Sequence, residues 1–148
     1  MKVVGVIPAR LGSTRLQEKV LKLIDGKPMI QRVWERAKLA KKLNDLIVAG
    51  DDPRILDCIQ SAGGRAMLTR VDHPNGSSRV AEIAAREQAD VFINIQGDEP
   101  MINPDGIDQL AECFSDRSVE AATLAVRKNS FEDYENPNVV KTVCDAAG

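Results

Sequence analysis

Apolar residues fall in short blocks whose spacing changes along the chain. Residues 3–7, 46–49 and 91–95 are runs dominated by Val, Ile, Leu and Ala. Such runs predict strands covered on both faces, as in a parallel sheet. Between them, apolar positions recur at helical spacing: Met29, Ile30, Val33, Trp34, Ala37 and Ala40 in one stretch, Ile55, Leu56 and Ile59 in the next, and Ile107, Leu110, Ala111 and Phe114 further on. Pro28 suits the first turn of the first helix, Asp52 caps Pro53 at the second, and Asn103-Pro104 opens the last. Gly63-Gly64 stops the second helix. Weaker patterns predict an extended piece at 20–24 before an Asp25-Gly26-Lys27 turn, a strand at 65–69, and a helix at 80–89 capped by Ser77 or Ser78. Two further strands are expected at 119–126 and 139–143, with a short turn between them capped by Ser130 and Asp133. Strand and helix thus alternate four or five times. That pattern is an α/β domain, with a mostly parallel sheet, helices on both faces and right-handed crossovers.

Composition narrows what such a domain could do. A chain of 148 residues suits one domain, and 43% apolar with 28% charged residues is ordinary for a globular protein. The net charge of -2 gives no general attraction to nucleic acid or to a membrane surface, so phosphate chemistry must come from local clusters. Aromatic residues at 3% are too few for a base-stacking platform. No apolar run reaches membrane-spanning length, and the N-terminus opens directly on a strand without a signal pattern. Cys58, Cys113 and Cys144 form no CxxC pair, so the expectation is reduced, buried thiols in a cytosolic protein.

Three polar clusters lie at the carboxyl ends of expected strands, where sheets of this kind bind ligands. The first is the loop 8–19, with Arg10, Ser13, Arg15 and Lys19. It matches neither GxxxxGK[ST] nor GxGxxG, yet its cations and backbone N–H groups suit a triphosphate. The second is 69–79, where Asn75-Gly76-Ser77-Ser78 opens a helix and offers donors to a sugar or phosphate. The third is Gln96-Gly97-Asp98-Glu99-Pro100, where a carboxylate just past a buried strand suits a divalent metal held against phosphate oxygens. Taken singly, each also reads as an ordinary solvated turn, and His73 reads as structural. Their convergence on one edge is what favours a ligand site.

The residues of these clusters carry a resemblance. Ile7-Pro8-Ala9-Arg10, Ser13-Thr14-Arg15-Leu16, Asp25-Gly26-Lys27-Pro28, Asp72-His73, Asn94-Ile95-Gln96-Gly97-Asp98-Glu99-Pro100 and Asn136-Pro137-Asn138-Val139-Val140-Lys141 run in order through the chain. In these segments the chain resembles the N-terminal portion of the 3-deoxy-manno-octulosonate (Kdo) cytidylyltransferases, the CMP-Kdo synthetases. The resemblance implies a nucleotide-diphospho-sugar-transferase-like three-layer α/β/α sandwich, with residues 1–148 as a cytidylyltransferase nucleotide-binding domain lacking the C-terminal half. It implies transfer of CMP from CTP to the anomeric hydroxyl of Kdo, with Mg2+, in cytoplasmic lipopolysaccharide biosynthesis. It further implies a homodimer with no nucleic-acid or membrane partner. Carried over by position, Arg10, Lys19 and Asp98 are catalytic, and Asp98 is the metal ligand. Pro8, Ala9, Arg10, Ser13, Arg15, Lys19, Arg70, Ser77 and Gln96 are nucleotide-binding, with Arg70 and Ser77 near the cytidine.

Some positions depart from the family. Gln17-Glu18-Lys19-Val20 stands where a Pro-Gly-Lys-Pro type of sequence is usual, and Glu18 adds negative charge beside the expected phosphate site. Ser78 stands where an acidic residue is usual. The family's chain continues about as far again, into the part expected to complete the sugar site. Two other readings stay open: a cytidylyltransferase for another sugar acid, and a truncated, non-catalytic nucleotide-binding homologue.

Overall fold

The structure, a computed structural model, describes residues 1–12, 16–127 and 130–143. Four parallel strands form the central sheet: β1 (Val3–Ala9), β4 (Asp45–Gly50), β5 (Arg65–Leu68) and β6 (Val91–Asn94), in the order β5-β4-β1-β6. A two-stranded antiparallel ribbon, β2 (Leu23–Ile24) with β3 (Lys27–Pro28), lies outside the sheet. Asp25 and Gly26 both have positive φ, 48° and 76°, which is the geometry a two-residue Asp-Gly hairpin turn requires. The expected extended piece at 20–24 is therefore shorter, because Lys19–Leu21 first makes a 3₁₀ turn.

Side chains of β1 alternate between two cores. Val3 and Ile7 enter a larger core with α1 (Met29–Ala37), α2 (Pro53–Ser61) and α4 (Pro104–Cys113). Val4 and Val6 enter a smaller core with α3 (Gly76–Ala84), through Val80 and Ile83. Helices on both faces make a three-layer α/β/α arrangement and explain why β1 has no polar face. Trp34 and its helical stripe belong to the larger core, against Ile59 and the backbone at Gly64.

Several helix boundaries follow their caps. The Asp52 side chain accepts from the Arg54 N–H, Asn103 from Asp105, and Ser130 from Asp133 at the start of α5 (Phe131–Glu135). Gly63, at φ 80°, follows the end of α2 in the left-handed conformation that glycine tolerates. The start of α3 corrects the sequence reading. Asn75, not Ser77 or Ser78, is the N-cap, accepting from the Ser78 N–H at 2.9 Å, and the helix runs from Gly76 to Ala84. An asparagine followed by glycine offered an earlier cap than the serines.

Neither 119–126 nor 139–143 forms a strand in the described residues. Their β-branched residues supply propensity, but a strand also needs a neighbour's backbone donors and acceptors. Cys58 is half-buried and Cys113 exposed, so the expectation of buried thiols fails for Cys113; Cys144 lies outside the described residues.

Candidate functional site

Strand order places the site. The chain steps outward from β1 to β4 and β5, then returns to the other side of β1 for β6. Ligands in such sheets bind beyond the carboxyl ends of the strands where the order reverses, here β1 and β6. A cleft of about 480 Å³ lies there. Its walls are Pro8 and Ala9 at the end of β1, Arg10, Leu16, Lys19 and Val20 from the segment that follows it, His73, Pro74, Asn75, Gly76 and Arg79 around the start of α3, and Gln96, Gly97 and Asp98 after β6. The three clusters read from the sequence therefore converge.

Pro8 sits between the other two walls. A Cβ on Gly97 would stand 2.5 Å from the Pro8 carbonyl oxygen, and one on Gly76 would stand 3.1 Å from the Pro8 ring. Glycine at both positions lets the loops close up around Pro8, and Gly97 cannot take a side chain without moving backbone. Across the mouth, the Lys19 ammonium donates to the Asp98 carboxylate at 2.7 Å. Both side chains are partly exposed, so this pair contributes little to stability. It does hold a cation and an anion side by side at the switch point.

Glu18 is not a competing charge in the cleft. It lies just before the 3₁₀ turn with φ 52°, and its carboxylate accepts from Arg54 at 2.7 Å. Arg54 also donates to Asp52, and the two acidic partners, Asp52 foremost, raise its pKa further above the ordinary arginine range. The sequence expectation of a negative charge beside the phosphate site is corrected by this pairing: a neighbouring helix start neutralises it.

Two networks that the sequence reading missed run inward from wall residues Arg79 and His73. Arg79, only 3% exposed at its side chain, faces Asp51 at 3.4 Å and donates to the Thr69 hydroxyl and the Arg70 carbonyl. The Thr69 hydroxyl in turn donates to the Gly50 carbonyl at 2.9 Å. His73 is bonded through Nε2 to Glu82, which also accepts from Arg86 and from the Arg70 N–H. The hydrogen bond from His73 is the main reason the Glu82 carboxyl is held below its ordinary pKa. A buried-side arginine on a helix face shared with Val80 and Ile83 was the one available signal for Arg79.

The expected site residues divide into three groups. Pro8, Ala9, Arg10, Lys19, Gln96 and Asp98 line the cleft together. Arg70 and Ser77 do not: Arg70 is exposed and paired with Asp72 at 2.6 Å, and Ser77 is exposed in the first turn of α3. An acidic partner two residues on is nearer to Arg70 than the cleft, and the pairing lowers the Asp72 pKa. Ser13 and Arg15 lie outside the described residues. Ser78, in place of an acidic residue, bonds the Asn75 carbonyl through its hydroxyl at 2.8 Å and so braces the cap.

Chemically, the cleft offers cations, helix-start N–H groups and one exposed carboxylate. That combination suits a phosphorylated ligand. Among the described residues no cluster of three His, Cys, Asp or Glu side chains could hold a metal alone. A single hard carboxylate at a cationic cleft mouth fits an ion that takes its other oxygens from substrate phosphate and water.

Known proteins share both the sequence pattern and the fold. The family model described as "Cytidylyltransferase" matches residues 4–148. The chain is 45% identical, over its whole length, to the 3-deoxy-manno-octulosonate cytidylyltransferase of Geobacter metallireducens, and spans 59% of that protein. That is a larger share than the half implied by the resemblance. Among solved structures, a CMP:2-keto-3-deoxy-manno-octonic acid synthetase complexed with CTP superposes with a TM-score of 0.77 at 47% identity, covering 80% of this chain and 49% of that one. A nucleotidyl transferase from Methanothermobacter thermautotroptrophicus shares the fold at 18% identity, with a TM-score of 0.65 over 75% of this chain and 57% of that one.

Proposed function

The chain belongs to the cytidylyltransferase family, and from that premise we propose that its cleft is the CTP site of an enzyme that makes CMP-Kdo. The reaction joins the anomeric oxygen of Kdo to the α-phosphorus of CTP and breaks the bond to the β-phosphate. Pyrophosphate leaves, and the hydroxyl proton is released. The observation that carries this reading is the meeting of Arg10, Lys19, Gln96 and Asp98 in one cleft at the β1/β6 switch point. The 45% identity to a Kdo cytidylyltransferase supports the choice of Kdo as acceptor.

Each residue has a defined task in this scheme. Arg10 and Lys19 bind the triphosphate and favour the charge that develops on it as the bond to pyrophosphate breaks. The N–H groups at the start of α3 and the Gln96 amide face the nucleoside side of the cleft. Asp98 would hold a divalent ion together with phosphate oxygens. When bound, that ion supplies further positive charge to the reacting phosphate. Lys19, paired with Asp98 at 2.7 Å, keeps the carboxylate aimed across the mouth until the nucleotide enters. The same reading makes the ion magnesium, the product a precursor of lipopolysaccharide, the compartment the cytoplasm and the assembly a homodimer.

Titration calorimetry with CTP and Mg2+ tests it directly. Binding is expected, and Asp98→Ala is expected to weaken it by about tenfold or more, the scale of losing one charge-assisted contact. Absence of CTP binding, or equal affinity in the Asp98→Ala variant, would overturn the assignment.

A further inference from the structure

Arg79 and Asp51 form the most deeply buried ion pair among the described residues, with side chains 3% and 6% exposed. A buried pair is weak evidence for stability, because desolvation offsets the attraction between the charges. Its bonding directions are more informative. Arg79 projects from α3 and fixes the ends of two strands, through the Thr69 hydroxyl and the Arg70 carbonyl after β5 and through Asp51 after β4. The second oxygen of Asp51 accepts the Leu11 N–H at 3.0 Å. Leu11 directly follows Arg10, one of the cleft cations that follow β1. A continuous line of hydrogen bonds and charge thus runs from the helix on one side of the cleft to the cationic loop on the other.

We propose that the Arg79–Asp51 pair is a positioning device that holds the Arg10–Leu11 backbone at a set distance from α3, so that the two halves of the cleft are spaced for one nucleotide before it arrives. The inference rests on the reading of the cleft as a CTP site. A ligand spanning both halves depends on their spacing; a ligand filling only the cationic half does not. Asp51 contributes its two carboxylate oxygens to two different neighbours, the Leu11 N–H and the Arg79 guanidinium. An uncharged or shorter side chain there loses one link or both. Pre-organisation of this kind raises affinity by removing an ordering cost from the binding step.

The test compares two ligands and one amide proton. In Asp51→Ala, CTP is expected to bind about tenfold more weakly while inorganic tripolyphosphate changes by less than about threefold, since only CTP bridges the two halves. Equal losses for both ligands, or no loss for either, overturn the proposal. Asp51→Asn keeps the shape of the side chain and is measured alongside, so that failure of the alanine variant to fold does not decide the matter; the same selective loss of CTP is required of it. Independently, Arg79→Lys is expected to speed hydrogen exchange at the Leu11 amide in the nucleotide-free chain, although the Leu11 amide is bonded to Asp51 and not to Arg79. Unchanged exchange there overturns the coupling. If the unaltered chain binds no CTP, the nucleotide reading fails, and the Leu11 exchange still decides whether Arg79 acts on the loop.

Discussion

Residues 3–9 and 139–143 are both rich in β-branched residues, yet they meet opposite fates. In β1, Val3, Val4, Val6 and Ile7 are buried between helices and flanked by parallel strands on both sides. In the later segment, Val140 is 94% exposed and Val143 is exposed with it. The residues 119–126 repeat the lesson, with Leu124 and Val126 exposed and no strand formed. Propensity is therefore only half of a strand. β1 is completed by β4, β6 and the helices on its two faces, whereas no strand pairs with the later segments among the described residues.

This contrast can be broken most forcefully at its buried end. Ile7→Ala removes a fully buried side chain from the larger core and is expected to cost about 2–5 kcal/mol, read as a fall in the urea midpoint with little change in slope. A smaller effect belongs to the wall of the cleft. The His73 bond holds the Glu82 carboxyl below its ordinary pKa, so the stability it lends is whole above the usual glutamate range near pH ~4.3. It is lost as the pH falls through the lower folded-state value. Stability measured against pH should therefore decline on that acid side in the unaltered chain, and Glu82→Gln should flatten the decline. An unaltered acid limb in the variant would show that other carboxylates set it. Smallest of all, Val140→Ser should leave the unfolding free energy from urea titration within about 0.5 kcal/mol of its original value, as for other substitutions at exposed sites. A larger loss would mean that the C-terminal stretch packs against the sheet in solution.

The parts of the fold legible in the sequence were those set by local chemistry or by full burial. Asp52, Asn103 and Ser130 cap the helices expected of them, and β1, β4 and β6 follow their aliphatic runs. The convergence of three polar loops was also legible, because it follows from strand ends in a parallel sheet. What escaped depended on partners distant in sequence or on competition between them. Arg79 and Asp51 lie 28 residues apart, and neither stands in a recognisable motif as a pair. Arg70, expected at the nucleotide, stands outside the cleft lining, and its guanidinium bonds Asp72, two residues on. Glu18 looked like an intruder on the phosphate site, and Arg54 from the start of α2 draws it aside.

The chain's sparse aromatic content turns the two regions into separately readable ones. Its single tryptophan, Trp34, is 5% exposed and wedged against Gly64 and Ile59, so its emission reports on the packed sheet and helices. Its single tyrosine, Tyr134, is 71% exposed and stacks on Phe131 at 6.1 Å within the short helix α5. Exciting the indole alone follows the opening of the packed sheet and helices, and the phenol's signal follows the exposed stretch. Without labels or added probes, one sample yields two optical melting curves, and any gap between them measures how far the two parts unfold as one cooperative unit.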